Sequence, residues 1–415
     1  MGGPTAEEVS TEFRSWLDGA WDPDRPLLEW REMLTRSGWA VPSWPAHRFG
    51  RGLPSWADRV VADEIRESGA VGPPVGAGMN LAAPTLMTHG SDGLIERVLR
   101  PTITGEVTWT QLFSEPGAGS DLAGMRATAV RDGDDWIVNG QKVWNTSAHH
   151  ADLAMLVVRT NWDAPKHEGI SYFVLPMDQP GVEVRPIVQM NRHQSFNEVF
   201  LTDARIPAAN VIGKVGDGWR VARTTLMHER SFATLRRPSF AADSGRTVAE
   251  AVAESAEHFA TYAWYPQRAG RADLVVERAQ QRDRAADSVV RQSIVDVLSF
   301  RQANEWTASR ARAARALGRP PGPEGSLGKL AASEVARRSA RTHAAIAGAD
   351  GMLTGTSATD DPDAAVVAEV LVSTPAQSIA GGTDEIQRNI VGENVLGLPR
   401  EPSADRGIPF RDVPG

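Results

Sequence analysis

The spacing of apolar residues changes twice along this chain, and that alternation limits what it can fold into. Up to about Val107 the stretches STEFRSWLDGAW, LLEWREMLTRSGW and WADRVVADEIRESG carry apolar residues three and four apart, the period of amphipathic helices. From Glu106 to Gly213 the period falls to two. DWIVNG, LAMLVV, SYFVLP, VEVRPI and NEVFL are short alternating or continuous apolar runs punctuated by Gly, Asp, Asn and Pro, as β-strands are. After Ile212 the helical period returns and holds to about Leu396. The pattern predicts an α+β multi-domain protein with an N-terminal α-domain at 1–107, a middle β-domain at 108–212 and a C-terminal α-domain at 213–400, followed by a tail at 401–415.

Composition narrows the function classes. A chain of 415 residues, 41% hydrophobic, can bury a large core. It has no run of eighteen apolar residues, and MGGPTAEEVSTEFRSW lacks both a basic opening and an apolar core, so neither a membrane span nor a signal peptide is expected. The absence of cysteine fits a cytoplasmic protein and removes thiol chemistry and thiolate-bound metal. A formal net charge of −8 argues against a nucleic-acid partner. His149 and His150 are adjacent and would diverge in a strand, so no metal site is expected there.

Three tryptophans of the first region, Trp39, Trp44 and Trp56, are expected in the core. MNLAAPTLMTHG reads as a buried helix, with Met79 and Met87 as core or pocket lining. The turns RDGDD and DAPKHEG fit hairpins.

Chemistry concentrates first in WTQLFSEPGAGSD, Trp109 to Asp121. Its first half alternates like a strand, and Pro116, Gly117 and Gly119 then stop it. A loop of such small residues lets backbone amides and the Ser120 hydroxyl approach a flat or anionic ligand. A dinucleotide fingerprint would need glycine at 122, where the chain has Leu, so a Rossmann unit is disfavoured and a plain turn between strands stays open. A second concentration is QKVWNTSAHHADLAML, in which Trp144 reads, from the residues alone, as a core tryptophan. A third is LMHER. On a helix Glu229 shares a face with Ala222, Leu226, Phe232 and Ala233, which makes it either a carboxylate paired with Arg223 or Arg230 or a desolvated base.

SEPGAGSDLAG resembles the T/S-E-P-x-A-G-S-D signature of acyl-CoA dehydrogenases, flavoproteins that desaturate acyl thioesters between the α and β carbons. QKVWNT resembles that family's K-x-W-I-T-N/S signature, with Asn145 in place of the usual Ile. RNIVGENVLGLPR is similar to its C-terminal ending. The resemblance covers about residues 80–400 and implies a middle β-barrel or sandwich, a C-terminal four-helix bundle, an FAD cofactor, an acyl-CoA substrate, electron-transfer flavoprotein as acceptor, and a homo- or hetero-oligomer, dimer or tetramer. It implies that Gln111, Phe113, Ser114, Gly119, Ser120, Trp144, Thr146, Gln292, Gly348, Gly351, Thr383 and Glu385 contact the flavin. Ser120, Met227, Arg230, Gly381 and Gly382 would contact the thioester.

The family's usual base lies in Y-E-G-T, and the matching segment here is Ala380-Gly381-Gly382-Thr383, without a carboxylate. A minority of members, the isovaleryl and long-chain enzymes, place the glutamate in an L-x-L-E-R context, which LMHER resembles; Glu229 is therefore the expected base. Residues 235–285 depart from the family and lack R-x-x-F-G. That stretch is expected to be a largely solvated insertion, with Arg282 or Arg284 as substitutes for the missing arginine. Two alternatives stay open, an acyl-CoA oxidase of the same fold with oxygen as acceptor and, suggested by the eroded motifs, a non-catalytic partner subunit of a heteromer. The insertion and the moved base favour a branched or bulky acyl chain, such as a steroid side chain.

Overall fold

In a computed structural model, residues 3–231, 240, 245–317, 322–352, 362–402, 405 and 407–414 are described. The chain forms two compact units. The first comprises Met1–Ile187, Ser195–Thr261 and Ala404–Gly415; the second comprises Val188–Gln194 and Tyr262–Ser403.

The first unit opens with five helices, α1 (Ala6–Ala20), α2 (Leu27–Arg36), α3 (Trp56–Ser68), α4 (Ala83–His89) and α5 (Asp92–Thr104). Thr5 and Glu8 form a reciprocal capping box at the start of α1, which satisfies two amide donors that the first turn leaves open. Val9, Phe13 and Leu17 follow at four-residue spacing and enter the core beside Trp30 and Trp39. Trp30 is buried with its indole N–H donating to the Val71 carbonyl at 2.6 Å, so its polar edge is not stranded. Trp39 is buried and Trp44 packs against the same core, whereas Trp56 is 39% exposed. Trp56 opens α3 directly after Ser55, on the first turn. MNLAAPTLMTHG begins as one π-helical turn, Gly78–Ala82, before α4, and Met79 and Met87 are partly buried against the core.

One seven-stranded sheet follows: β1 (Trp109–Leu112), β2 (Thr128–Asp132), β3 (Asp135–Thr146), β4 (Leu153–Arg159), β5 (Ile170–Pro176), β6 (Val182–Ile187) and β7 (Phe196–Pro207). The order is β1-β4-β2-β3-β7-β6, with β5 paired to β4. Strands β1 and β4 are parallel, Trp109 opposite Leu153, while β2–β3, β4–β5 and β7 with its neighbours are antiparallel. Gly133, at φ +58, turns the β2–β3 hairpin. One face buries Leu112, Leu156, Phe173, Val199 and Ile206 in a single cluster. The pairing of β3 with β7 slips between Lys142 and Asn145, a bulge that re-aims the side chains there.

Two helices complete the unit, α6 (Gly218–Ser231) and α7 (Gly245–Ala260). Helix α7 lies in the divergent stretch, yet it buries Val248, Ala251 and Phe259. Glu254 on α7 pairs with the buried Arg31 at 2.6 and 3.0 Å, and Thr247 donates to the Arg25 carbonyl at 2.5 Å. This part of the insertion is thus bound into the core, because its apolar residues recur at helical spacing within the polar run.

The second unit is helical: α8 (Tyr265–Arg268), α9 (Val275–Gln281), α10 (Ser288–Ala316), α11 (Glu324–Ala347), α12 (Pro362–Ser373), α13 (Pro375–Ile379) and α14 (Asp384–Asn394). Helix α11 packs against α10, α12 and α14. Its central residues Ser333, Ala336, Ser339, Ala340 and His343 are small or bonded and let neighbours approach closely. Helix α14 ends at Asn394, and Val395 and Leu396 after it are exposed.

Candidate functional site

The first signature is built on β1 and the turn after it. Phe113 is buried edge-on against Tyr172, ring centroids 5.7 Å apart, and Gln111 is half-buried. Glu115 and Ala118 exchange two backbone bonds of 3.1 and 3.0 Å, closing a tight turn over Pro116 and Gly117. The Glu115 carboxylate accepts the Arg126 and Ala127 amides at 2.7 and 3.0 Å and the buried Lys142 ammonium at 2.8 Å. Lys142 also donates to the Phe113 carbonyl at 3.0 Å. The turn is therefore pinned from beneath. Above it Gly119 and Ser120 are exposed, and a side chain added at Gly117 or Gly119 would meet nothing within 4 Å. A pocket of about 240 Å³ flanks the turn, lined by Pro116, Gly117, Gly124 and Arg126; Gln111, Trp144 and Glu229 do not line it.

The second signature lies on β3 at the bulge. Trp144 has φ +63, left-handed for a bulky residue, and its ring is 57% exposed while standing edge-on to Phe196 at 5.9 Å. Asn145 beside it is buried and donates to the Gln111 carbonyl at 2.8 Å, and Thr110 donates to the Thr146 carbonyl at 2.9 Å. These two bonds join the signature strands. Thr146 is half-buried and Ser114 accepts the Val143 amide at 2.9 Å through its carbonyl.

Glu229 is half-buried on α6, with Ala222 buried and Leu226 partly buried on the same face; Phe232 and Ala233 lie outside the described residues. The Gln111 side-chain amide points at its Oε2 from 3.4 Å. Met227 is 53% exposed. Arg230 lies on the helix, and its side chain is outside the described ones. Glu229 thus comes together with Gln111, one of the residues expected at the flavin.

In the second unit Thr383 caps α14, its hydroxyl accepting the Ile386 amide at 3.3 Å. Glu385 is exposed in the first turn, and Gly381 and Gly382 precede it with φ +69 and +83. Gly381 has open space where a side chain would be, while a side chain at Gly382 would collide with Gln387. Gly348 is exposed, Gly351 half-buried, and Gln292 exposed on α10. Arg282 and Arg284, the expected substitutes for the missing arginine, pair with Asp350 at 2.9 Å and Asp287 at 2.8 Å.

The two histidines do not diverge. They sit on a 3-10 turn, Ala148–His150, with ring centroids 3.9 Å apart, because the strand has ended at Thr146. Burial and the neighbouring His150 hold His149 below the usual imidazole range. Among the described residues no group of three His, Asp or Glu could hold a metal, and no helix is long and apolar enough to cross a membrane.

An exposed tryptophan at positive φ, a turn with open space above Gly117 and Gly119, and a half-buried amide and hydroxyl are groups whose chemistry suits a flat aromatic ligand that is stacked on, closely approached and hydrogen-bonded. Sequence reasoning missed Lys142 and Asn197, the latter buried with its amide donating to the Asn145 carbonyl at 2.9 Å. The signal for Lys142 was available in the K-x-W spacing; Asn197 carried none.

Known proteins agree with this architecture. The profile described as "Acyl-CoA dehydrogenase, middle domain" matches residues 110–204, and that described as "Acyl-CoA dehydrogenase, C-terminal domain" matches 258–396. Acyl-CoA dehydrogenase IpdE1 of Mycobacterium tuberculosis is 34% identical over 408 residues, covering 97% of this chain and 92% of that protein. Acyl-CoA dehydrogenase FadE34 of the same organism is 34% identical over 367 residues, and this chain spans 46% of it. Among solved structures, the ChsE4-ChsE5 complex from Mycobacterium tuberculosis is similar with TM-score 0.64 and 27% identity, over 97% of this chain and 99% of that one. The chain belongs to the acyl-CoA dehydrogenase family, and is by that membership an oxidoreductase.

Proposed function

We propose that this protein is an FAD-dependent acyl-CoA dehydrogenase that desaturates a branched or bulky acyl thioester, with Glu229 as the base and electron-transfer flavoprotein as the acceptor. The observation that carries the reading is the half-buried Glu229 carboxylate on an apolar helix face, 3.4 Å from an amide of the first signature strand. A proton next to a thioester is weakly acidic, so its removal needs a positioned base and a donor for the developing negative oxygen. Glu229 takes the proton. The Gly381 amide, on a segment free of side chains, is the proposed donor to the thioester oxygen. Trp144, Thr146, Gln111, Phe113, Ser114, Gly119, Ser120, Gln292, Gly348, Gly351, Thr383 and Glu385 are the residues that the resemblance assigns to the cofactor. FAD, when bound, supplies the acceptor for the β-hydride. Ser120, Met227, Arg230 and Gly382 would line the thioester.

A second reading has specific support. The carboxylate is missing at Gly381, R-x-x-F-G is absent, and a similar solved structure is a complex of two differently named chains. These favour a subunit of a heteromer. One experiment addresses both: a panel of acyl-CoA thioesters, straight, branched and steroid-derived, assayed with a dye acceptor on the native chain and on Glu229→Gln. Turnover lost in the variant with cofactor retained supports the first reading. A colourless chain inert to every thioester until a partner is added supports the second. Full turnover by the variant removes Glu229 from the mechanism.

A further inference from the structure

Three side-chain amides, two of them fully buried, connect the bulge on β3 to the proposed base. Asn197, fully buried on β7, donates to the Asn145 carbonyl at 2.9 Å; Asn145, 1% exposed, donates to the Gln111 carbonyl at 2.8 Å; and Gln111 directs its own amide at Glu229. An ionised carboxylate only accepts hydrogen bonds, so the amide of Gln111 must present its nitrogen to Glu229. The 3.4 Å separation is long, as such contacts often are before substrate binds, and they tighten in the reactive complex.

Asn145 is costly where it stands. Among the described residues its buried Oδ1 has no hydrogen-bond partner, and burying an unmatched polar atom opposes folding. Isoleucine, usual at this position in the resemblance, would fill the space without that penalty but could not hold the Gln111 carbonyl. Fixing the main chain on both sides of Gln111 leaves its side chain few directions to take. Thr110 reinforces this from the preceding residue by donating to the Thr146 carbonyl.

We propose that Gln111 is a positioning residue for Glu229, holding the carboxylate in one rotamer by a side-chain hydrogen bond, and that Asn145 fixes the Gln111 backbone so that it can do so. The inference rests on Glu229 being the base. It predicts that the donor orients the charged form and so favours it. Among the described residues, titratable groups facing α6 include Tyr172 on β5, bonded to Thr225, His89 on α4, bonded to Thr224, His167, whose ring centroid lies 4.8 Å from that of Trp219, and Asp217, paired with Arg220; Arg220, Arg223, His228 and Arg230 lie on α6 itself.

The test uses the full chain, with Gln111→Leu and Asn145→Ile, and Gln111→Met as a second donor-free variant should the leucine fail to fold. The titration of Glu229 is followed in cofactor-free protein by infrared difference against Glu229→Gln, and kcat, KM and the acid limb of the rate profile are measured with the best thioester. Loss of the donor moves the Glu229 midpoint up by roughly half a pH unit and lowers kcat about tenfold with KM little changed. Asn145→Ile shifts both in the same direction by less. An unchanged midpoint and unchanged kcat in a folded donor-free variant overturn the proposal, as does a loss of thermal stability alone. Full activity of Glu229→Gln would instead overturn the reading of the base, and the infrared midpoint would still report whether Gln111 holds that carboxylate.

Discussion

Lys142 lies with its ammonium 2.8 Å from the Glu115 carboxylate, 27 residues away in sequence, and both side chains are buried. Burial pulls the lysine below its usual range, and the adjacent carboxylate opposes that pull. Glu115 also accepts two amides, so every part of the pair is bonded. Removing one member strands the other. Lys142→Met is expected to lose about 3–5 kcal/mol of stability in chemical denaturation, and Glu115→Gln in the same chain to recover part of it, since the stranded charge is then gone. A double-variant loss equal to the sum of the two single-variant losses would show that the pair is not coupled.

Asp384 begins α14 almost wholly buried, within 2.8 Å of Arg337 and 2.9 Å of Lys329. Burial alone would raise its pKa, but the hydrogen bonds from Arg337 and Lys329 outweigh it and hold the carboxyl well below the usual range. A folded-state pKa below the unfolded one gives stability that is present above about pH 4, the ordinary carboxyl range, and is lost as pH falls toward the folded value. Both cations are partly exposed, so the expected cost of Asp384→Asn at neutral pH is about 2 kcal/mol. The gap between variant and native protein should hold from pH 7 to about pH 4 and close progressively as denaturation is repeated below that. A gap independent of pH would assign the cost to packing.

What the sequence made legible was local. The period changes marked the helices and strands because period follows from which faces are buried. Glu229 stood out because Ala222 and Leu226 recur beside it at helical spacing. Long-range contacts were not legible. Gln111 meets Glu229 across 118 residues, and no local spacing encodes that meeting. Trp56 was misplaced because hydrophobicity does not report that a residue opens its helix, and His149 and His150 because the strand stops one turn before them.

Trp144 offers a separation of cofactor binding from folding. Its ring is 57% exposed, so truncation removes little buried surface, and Trp144→Ala is expected to alter stability by no more than about 0.5 kcal/mol. A lost stacking partner costs about 0.5–1.5 kcal/mol, up to about a tenfold rise in the dissociation constant of FAD. Titration of apo-protein with FAD, followed by flavin fluorescence, checks it. An unchanged affinity would move the flavin away from this ring.

Arg159 is fully buried, and among the described residues no carboxylate pairs with it directly, although Glu115 and Asp121 act on its charge from further away. Its guanidinium donates to the carbonyls of Ala123 at 2.6 Å and Met125 and Lys166 at 3.2 Å, and lies 3.4 Å from the centre of the Phe410 ring. Burial pushes its pKa down to about 10, still far above neutrality, so the charge persists and the aromatic face covers it. The tail keeps that ring in place. Phe410 donates its amide to the Ala164 carbonyl, and Lys166 joins Asp121, at the end of the first signature, to Asp405 at 2.6 and 2.7 Å. Phe410→Ala should therefore do more than empty a cavity. Truncating a buried phenylalanine costs about 3–5 kcal/mol, and here it also opens a path for water to the cation. Hydrogen exchange should quicken in Leu122–Gly124 and in 162–166, both bonded to or through Arg159 and the tail, while the β3–β7 ladder stays protected. Phe410→Leu, which refills the volume without an aromatic face, should restore less than half of the loss. If leucine restores all of it, the ring serves only as packing and the cation–π contact contributes nothing measurable.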